Sequence, residues 1–289
     1  MKPNNKKSFD QDVLLVPMSD MHSGSNNALF VNRFWEGMQG VNHVPTDTQR
    51  KIYNHFVEVT KKIRIARKDR TLVIVHDGDA VEGVHHNNVD VATRNVGEQS
   101  DIHTEIMLDF KDRVDWQKGD KLYYVTGTET HTGDVENKLA EMVGAQQYDD
   151  NLYVANHLEL VIHDLSIWFV HHGKSAGAGA NEGDGIRNWL RDIYWDAKKA
   201  NKTPPSMVIS GHVHQPTYNT YVVNDNGIFK TVHCVICPSW QAKTRYAYKV
   251  SPVAKNVIGA VQIEIRADHE IKTPLFLTME TESIRKIVV

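Results

Sequence analysis

Two periodicities alternate along the chain. Short apolar runs rich in β-branched residues stand between turn signals in "DVLLVPMSD", "TLVIVHDGD", "KLYYVTGT" and "PSMVISGHVHQP", and each predicts a buried strand. The first of these runs from Val13 to Pro17. Between the first two, "DTQRKIYNHFVEVTKKIRIARK" repeats apolar residues at helical spacing (Ile52, Phe56, Val59, Ile63), with Asp47 as the expected N-cap. Further helices are predicted over "SDIHTEIMLDFKDRVDW", "DVENKLAEMVGA" and "GDGIRNWLRDIYWDAKKA", the last capped by Asp184. "LELVIHDLSIWFVHHG" holds two strand-like runs around a turn at His163-Asp164, and further strands follow, with turns at "NDNG" and "PS". Strand-helix alternation followed by a mostly strand region predicts a mixed α/β architecture, helices covering sheets, in one domain over residues 1–289. "GKSAGAGANEGDG" (173–185) reads as a loop near a site.

The predicted strands end alike. Asp20 and His22 follow the first, and His76, Asp77 and Asp79 follow the second. Glu129 and His131 follow the third, His171 and His172 follow "SIWFV", and His212 and His214 follow "MVIS". Open α/β sheets gather ligands at the carboxyl ends of their strands, so these residues are expected to converge on one crevice. In extended backbone, residues i and i+2 point the same way, which would let Asp20 with His22, and His212 with His214, each offer two ligands. Gly78 and Gly211 would let the backbone turn sharply and approach an ion. Mixed carboxylates and imidazoles suit Mn, Fe, Zn or Ni rather than calcium. Six or more ligands exceed the needs of one tetrahedral site, which argues for two divalent ions, about 3.5–4 Å apart and bridged by a carboxylate.

In order, the motifs read D-x-H, G-D-x-x-x-G, G-x-x-x-H, H-G and G-H-x-H from Asp20 to His214. Each piece alone is weak. All five in order, each after a strand, resemble the calcineurin-like metallophosphoesterase superfamily. The resemblance implies a four-layer α-β-β-α sandwich of two mixed sheets, with the metal site at the carboxyl ends of strands. It implies that Asp20, His22 and His214 bind one ion, that Asp79 bridges, and that His172 and His212 bind the second. His172 is preferred to His171 because the family's ligand commonly sits directly before the glycine. One motif departs from the family. Where Gly-Asn-His-Glu or Gly-Asn-His-Asp is usual, this chain has "GTETH", so Glu129, Thr130 or water is left to replace the asparagine. His131 takes the leaving-group role by the same resemblance. The variant is similar to that of phosphoesterases encoded by phages and prophages.

The implied activity is phosphate-ester hydrolysis by a hydroxide bridging the two ions, manganese first among them. Phosphodiesters are favoured as substrates, nucleic acid included, over phosphomonoesters, so the activity would be that of a phosphodiesterase or nuclease rather than a phosphatase. A non-catalytic metal-binding scaffold of the same fold is the alternative from another class. His85 and His86 either line the cleft or form a polar loop.

Composition narrows little else. A formal net charge of −3 gives no global attraction to nucleic acid or to anionic membranes. Apolar stretches fall short of a membrane span, and "VLLVPM" is too short for a signal peptide, so a cytoplasmic location is expected. Cys234 and Cys237 lie in a strand-like run, pointing to opposite faces, and read as core residues rather than as a metal or redox pair. "HHGKSAGAG" fails as a phosphate loop because Trp168 stands where the leading glycine belongs. "CPSWQAKTRYAY" mixes aromatics with Lys243 and Arg245; it is either a hairpin edge or a base-stacking segment.

Overall fold

The computed structural model describes residues 11–37, 42–84, 90–129, 135–175, 177, 183–244 and 256–281. In chain order the strands are β1 (Val13–Met18), β2 (Trp35–Glu36), β3 (Asn42–His43), β4 (Thr71–Asp77), β5 (Lys121–Val125), β6 (Val154–Ala155), β7 (Leu158–Ile162), β8 (Leu165–Phe169), β9 (Met207–Ser210), β10 (Thr217–Asp225), β11 (Ile228–Ile236), β12 (Asn256–Ile265) and β13 (Leu275–Thr281). The helices are α1 (Asp47–Arg67), α2 (Val96–Arg113), α3 (Val135–Met142) and α4 (Asp184–Lys199).

Two mixed sheets organise these elements. One has the order β13-β12-β1-β4-β5-β6, the other β10-β11-β9-β8-β7, and β2 and β3 pair separately. β1, β4, β5 and β6 run parallel; β12 pairs antiparallel with β1, and β13 antiparallel with β12. In the second sheet β8, β9 and β11 run parallel, flanked by antiparallel β7 and β10.

Side-chain alternation shows how the layers stack. Val13 and Leu15 of β1 and Val73 and Val75 of β4 share a core with Ile167, Phe169, Met207 and Ile209 of the second sheet. The intervening Leu14, Val16, Leu72 and Ile74 pack instead with Ile52, Phe56, Ile106 and Phe110 of α1 and α2. On the far side, Val208 and Cys234 pack against Ile186, Leu190 and Tyr194 of α4. The order is helices, sheet, sheet, helix: the four-layer α-β-β-α sandwich. Strands buried on both faces explain the near-continuous apolar runs of β1, β4 and β9.

Local signals held with two corrections. The N-cap of α1 is Thr46, not Asp47. Its hydroxyl accepts from Gln49 N–H at 3.1 Å while the Gln49 carboxamide accepts from Thr46 N–H at 2.9 Å, a reciprocal pair that Asp47 cannot form from inside the first turn. Likewise α4 starts after Gly183, in left-handed backbone at φ 89°, and Asp184 lies within the first turn. The hairpin at His163-Asp164 is present, both residues left-handed at φ 48° and 60°, as a two-residue turn between Ile162 and Leu165 requires. Cys234 and Cys237 are free, buried and in different cores. No helix among the described residues is long and apolar enough to cross a membrane.

Candidate metal centre

The parallel strands β1, β4, β5, β8 and β9 all point their carboxyl ends at one crevice between the sheets. Beyond β1 and β4 the chains stay zipped together: Asp20 N–H donates to Gly78 O at 3.1 Å, His22 N–H to Asp79 O at 2.9 Å and Ser23 N–H to Ala80 O at 3.0 Å. Yet the backbone here is not extended, contrary to the reading of the i, i+2 spacing. Asp20, His22, Asp79, His212 and His214 all have positive φ, between 44° and 65°. Left-handed backbone at a residue with a side chain costs on the order of 1–3 kcal/mol and persists only when its surroundings enforce it. Alternate left-handed residues turn each loop back on itself, and this aims both members of each pair inward.

Gly78 combines a left-handed φ of 81° with close approach: a Cβ there would lie 2.3 Å from His171 Nδ1. Gly211 is needed for approach alone, since its Cβ would sit 1.9 Å from Ser19 Oγ.

Two groups of ligand atoms result, each lying within 4.8 Å of one another. The first is Asp20, His22 and His214. His22 Nε2 faces His214 Nε2 at 3.4 Å, and His214 Nε2 lies 3.1 Å from Asp20 Oδ1. Asp20 is fully buried and accepts from His212 N–H at 2.9 Å and from Ser19 Oγ at 2.5 Å. The second is Asp79, His171 and His212. His171 Nε2 lies 3.2 Å from Asp79 Oδ2, and His22 Nε2 stands 3.9 Å from the same oxygen, so Asp79 sits between the groups.

His172, expected in the second group from the order of the motif, stands outside it. It is exposed, stacks edge-on against His212 at 4.4 Å between centroids, and lines a cavity of about 490 Å³ with Thr126, Gly127, Thr128, Glu129 and Asn156. Strand parity explains the exchange. Ile167 and Phe169 face the inter-sheet core, and His171, two positions on, is buried on that side, while His172 is exposed at the cavity wall. His131 and Thr130 lie outside the described residues, as do His85 and His86.

Three further residues escaped the motif reading. Glu82, buried, places Oε2 3.3 Å from His22 Nδ1 and accepts from Gln241 Nε2 at 2.7 Å. Glu136, at the start of α3, accepts from Gly127 N–H at 2.8 Å. Thr128 donates its N–H to Asp79 Oδ1 at 2.6 Å and places Oγ1 3.3 Å from Asp79 Oδ2. Glu82 lies within the G-D-x-x-x-G stretch and Thr128 within "GTETH", but the motifs assign neither a role, and only the folded crevice assembles all three. Trp240 resolves another open point: it is fully buried against Phe56, so it is core and not a base-stacking surface. Arg245 to Tyr248 lie outside the described residues.

Charge in the crevice is strongly coupled. Burial disfavours the Asp20 carboxylate, yet His214 and then His171 outweigh it and hold its pKa down at about 2. Burial likewise opposes a charge on His22, but Glu82, Asp79 and Asp20 raise its pKa to about 9. Against the same burial cost, Asp79, Asp20 and Asp77 raise His171 to about 10. Burial pushes Asp77 up to about 8 and Glu136 up to about 7.

The donor set fits divalent metal. Each group joins carboxylate oxygen to imidazole nitrogen, the mixture that borderline transition ions take. Each buried histidine has its remote nitrogen engaged: His171 Nδ1 lies 2.6 Å from Asp77 O, and His22 Nδ1 faces Glu82. That arrangement turns each Nε2 toward the crevice, where a metal ion would take the place of its proton.

No protein-family model and no curated protein matches the chain. Among solved structures, it is similar to the sulfate thiohydrolase SoxB of Thermus thermophilus, in complex with glycerol, at 12% identity and TM-score 0.39. That alignment covers 93% of this chain and 56% of SoxB, so the chain spans little more than half of that protein's length. A metallophosphoesterase from Sphaerobacter thermophilus aligns at 11% identity and TM-score 0.32, over 94% of this chain and 89% of the other. The chain's own layers and strand ends form the α-β-β-α sandwich that its motifs imply, with the donor groups at the carboxyl ends of parallel strands.

Proposed function

We propose that the chain is a dinuclear metal-dependent hydrolase of phosphate esters. One observation carries the reading: two donor groups, Asp20-His22-His214 and Asp79-His171-His212, converge in one crevice with Asp79 between them. Two divalent ions there, manganese first among Mn, Fe, Zn and Ni, would supply positive charge for phosphoryl oxygens and acidify a water. Asp20, His22 and His214 hold the first ion. Asp79, His171 and His212 hold the second, with Asp79 shared. Glu82 and the Asp77 carbonyl keep His22 and His171 in the tautomer that presents Nε2.

The substrate enters beside the second group. The cavity of about 490 Å³ lined by Thr126, Glu129, Asn156 and His172 is wide enough for one leaving group next to the phosphorus. His172, exposed at that wall, contacts the substrate rather than an ion. His131 remains the candidate proton donor to the leaving oxygen, by its motif. Phosphodiesters are the favoured class, nucleic acid among them, and the proposed location is cytoplasmic.

The test is hydrolysis of bis-p-nitrophenyl phosphate and p-nitrophenyl phosphate by the purified chain with added Mn²⁺, beside Asp79→Asn. Turnover of the diester that vanishes in the variant supports the reading. Turnover of the monoester alone moves the substrate class to phosphomonoesters. Inactivity on both, with metal bound, favours a metal-binding scaffold.

A further inference from the structure

The second donor group has three side chains, two nitrogens and one oxygen, and a fourth group stands against it. Thr128 Oγ1 lies 3.3 Å from Asp79 Oδ2 and 3.5 Å from His212 Nδ1, on the side of Asp79 that His171 also approaches. Its position is not left to a flexible loop. Thr128 N–H is fixed on Asp79 Oδ1 at 2.6 Å, and the preceding Gly127 N–H is held by the buried Glu136 carboxylate at 2.8 Å. Gly127 itself packs so close that a Cβ would fall 2.1 Å from Asp79 N, which only glycine permits. Glu129, the other side chain considered for this oxygen, is exposed and lines the adjoining cavity.

We infer that the Thr128 hydroxyl is the fourth protein ligand of the second ion, filling with a neutral oxygen the place that the asparagine amide takes in the usual motif. The inference rests on the dinuclear reading above and adds a residue that the motif comparison passed over. Threonine and serine hydroxyls serve small divalent cations in the same way in phosphate-binding loops. With Asp79 shared, the first ion has two buried carboxylates and two imidazoles, whereas the second has the shared carboxylate, two imidazoles and an alcohol oxygen, a weak donor. The two sites are therefore unequal: the first binds tightly and the second more weakly.

Calorimetric titration of the metal-stripped full chain with Mn²⁺ tests this, read beside the electron paramagnetic resonance signal of a spin-coupled Mn pair. Expected in the native chain are two binding events of different affinity and a coupled signal. Thr128→Val keeps the first event, weakens the second at least about tenfold and loses the coupled signal, while Thr128→Ser stays near the native curve. Thr128→Asn, which offers an amide oxygen, retains or strengthens the second event, and thermal melts check that each variant folds. Two native events in Thr128→Val would overturn the inference. Equal weakening of both events would also overturn it, because it would show that Thr128 acts only by positioning the shared Asp79. A native chain that binds fewer than two ions would instead bring down the dinuclear reading itself.

Discussion

His22 and His214 point the same atom at each other, Nε2 to Nε2 at 3.4 Å. Two neutral imidazoles gain nothing from that arrangement unless one carries a proton between them or both face a cation. In the metal-free chain the proton is favoured, since Glu82, Asp79 and Asp20 raise His22 to about 9 against the cost of burial. His171, raised to about 10 by Asp79 and its neighbours, is protonated as well. Metal must displace those protons. Mn²⁺ binding at pH 7.5 is expected to release between one and two protons per chain, and affinity is expected to rise with pH. Calorimetry in buffers of different ionisation enthalpy measures the release. An absence of proton release would remove His22 and His171 from the ligand set.

The same shifts set the stability of the metal-free chain. His22 and His171 bind protons more tightly folded than unfolded, so their contribution is complete below pH 6.5 and fades as pH rises through about 9 and 10. Asp77 acts in the same direction: burial raises it to about 8, so ionising it at higher pH works against the fold. Melting temperature without metal should fall steadily from pH 6.5 to 10. Saturating Mn²⁺ should flatten or reverse that slope, because the ligand imidazoles are then neutral by design. Parallel slopes with and without metal would count against the assignment.

His171→Ala and His172→Ala separate the two adjacent histidines. The first is expected to lose the weaker metal-binding event, with affinity down at least about tenfold, and to lose most of kcat. The second should keep both events and raise KM, as suits a side chain at the cavity wall. Metal loss in His172→Ala with retention in His171→Ala would return the ligand role to His172.

Glu82→Gln keeps size and removes the charge beside His22 Nδ1. It is expected to cost roughly 10–100-fold in affinity at the first site while leaving the fold intact. In metal-free protein the His22 resonance should titrate at a lower pH than in the native chain, because a carboxamide no longer stabilises the imidazolium. A titration unchanged by the substitution would show that Glu82 does not orient His22.

Trp240→Ala should destabilise the chain by about 3–5 kcal/mol in urea unfolding, as for a large aromatic removed from a packed core. The backbone N–H of residue 240 donates to Asp20 O at 3.1 Å, a bond that alanine keeps, so the loss expected is in stability. A near-neutral effect on stability would reopen the surface role of this segment.

Much of the molecule was legible along the chain because it depends on short-range pattern. Unbroken β-branched runs mark strands buried on both faces, helical spacing marks α1, and the polar residues after each parallel strand lie where a sheet's carboxyl edge must place them. Which of two adjacent histidines faces the crevice was a different kind of question. His171 was chosen over His172 by the stacking of one sheet on the other, which sets the parity of β8. The left-handed backbone at Asp20, His22, Asp79, His212 and His214 is likewise enforced by contacts between distant loops, against the local preference of those residues. Thr128, Glu82 and Trp240 took their roles from neighbours 49, 60 and 184 positions away at Asp79, His22 and Phe56. A chain pattern carries the period of an element and the chemistry of its ends; only the packing of the layers decides which atoms meet.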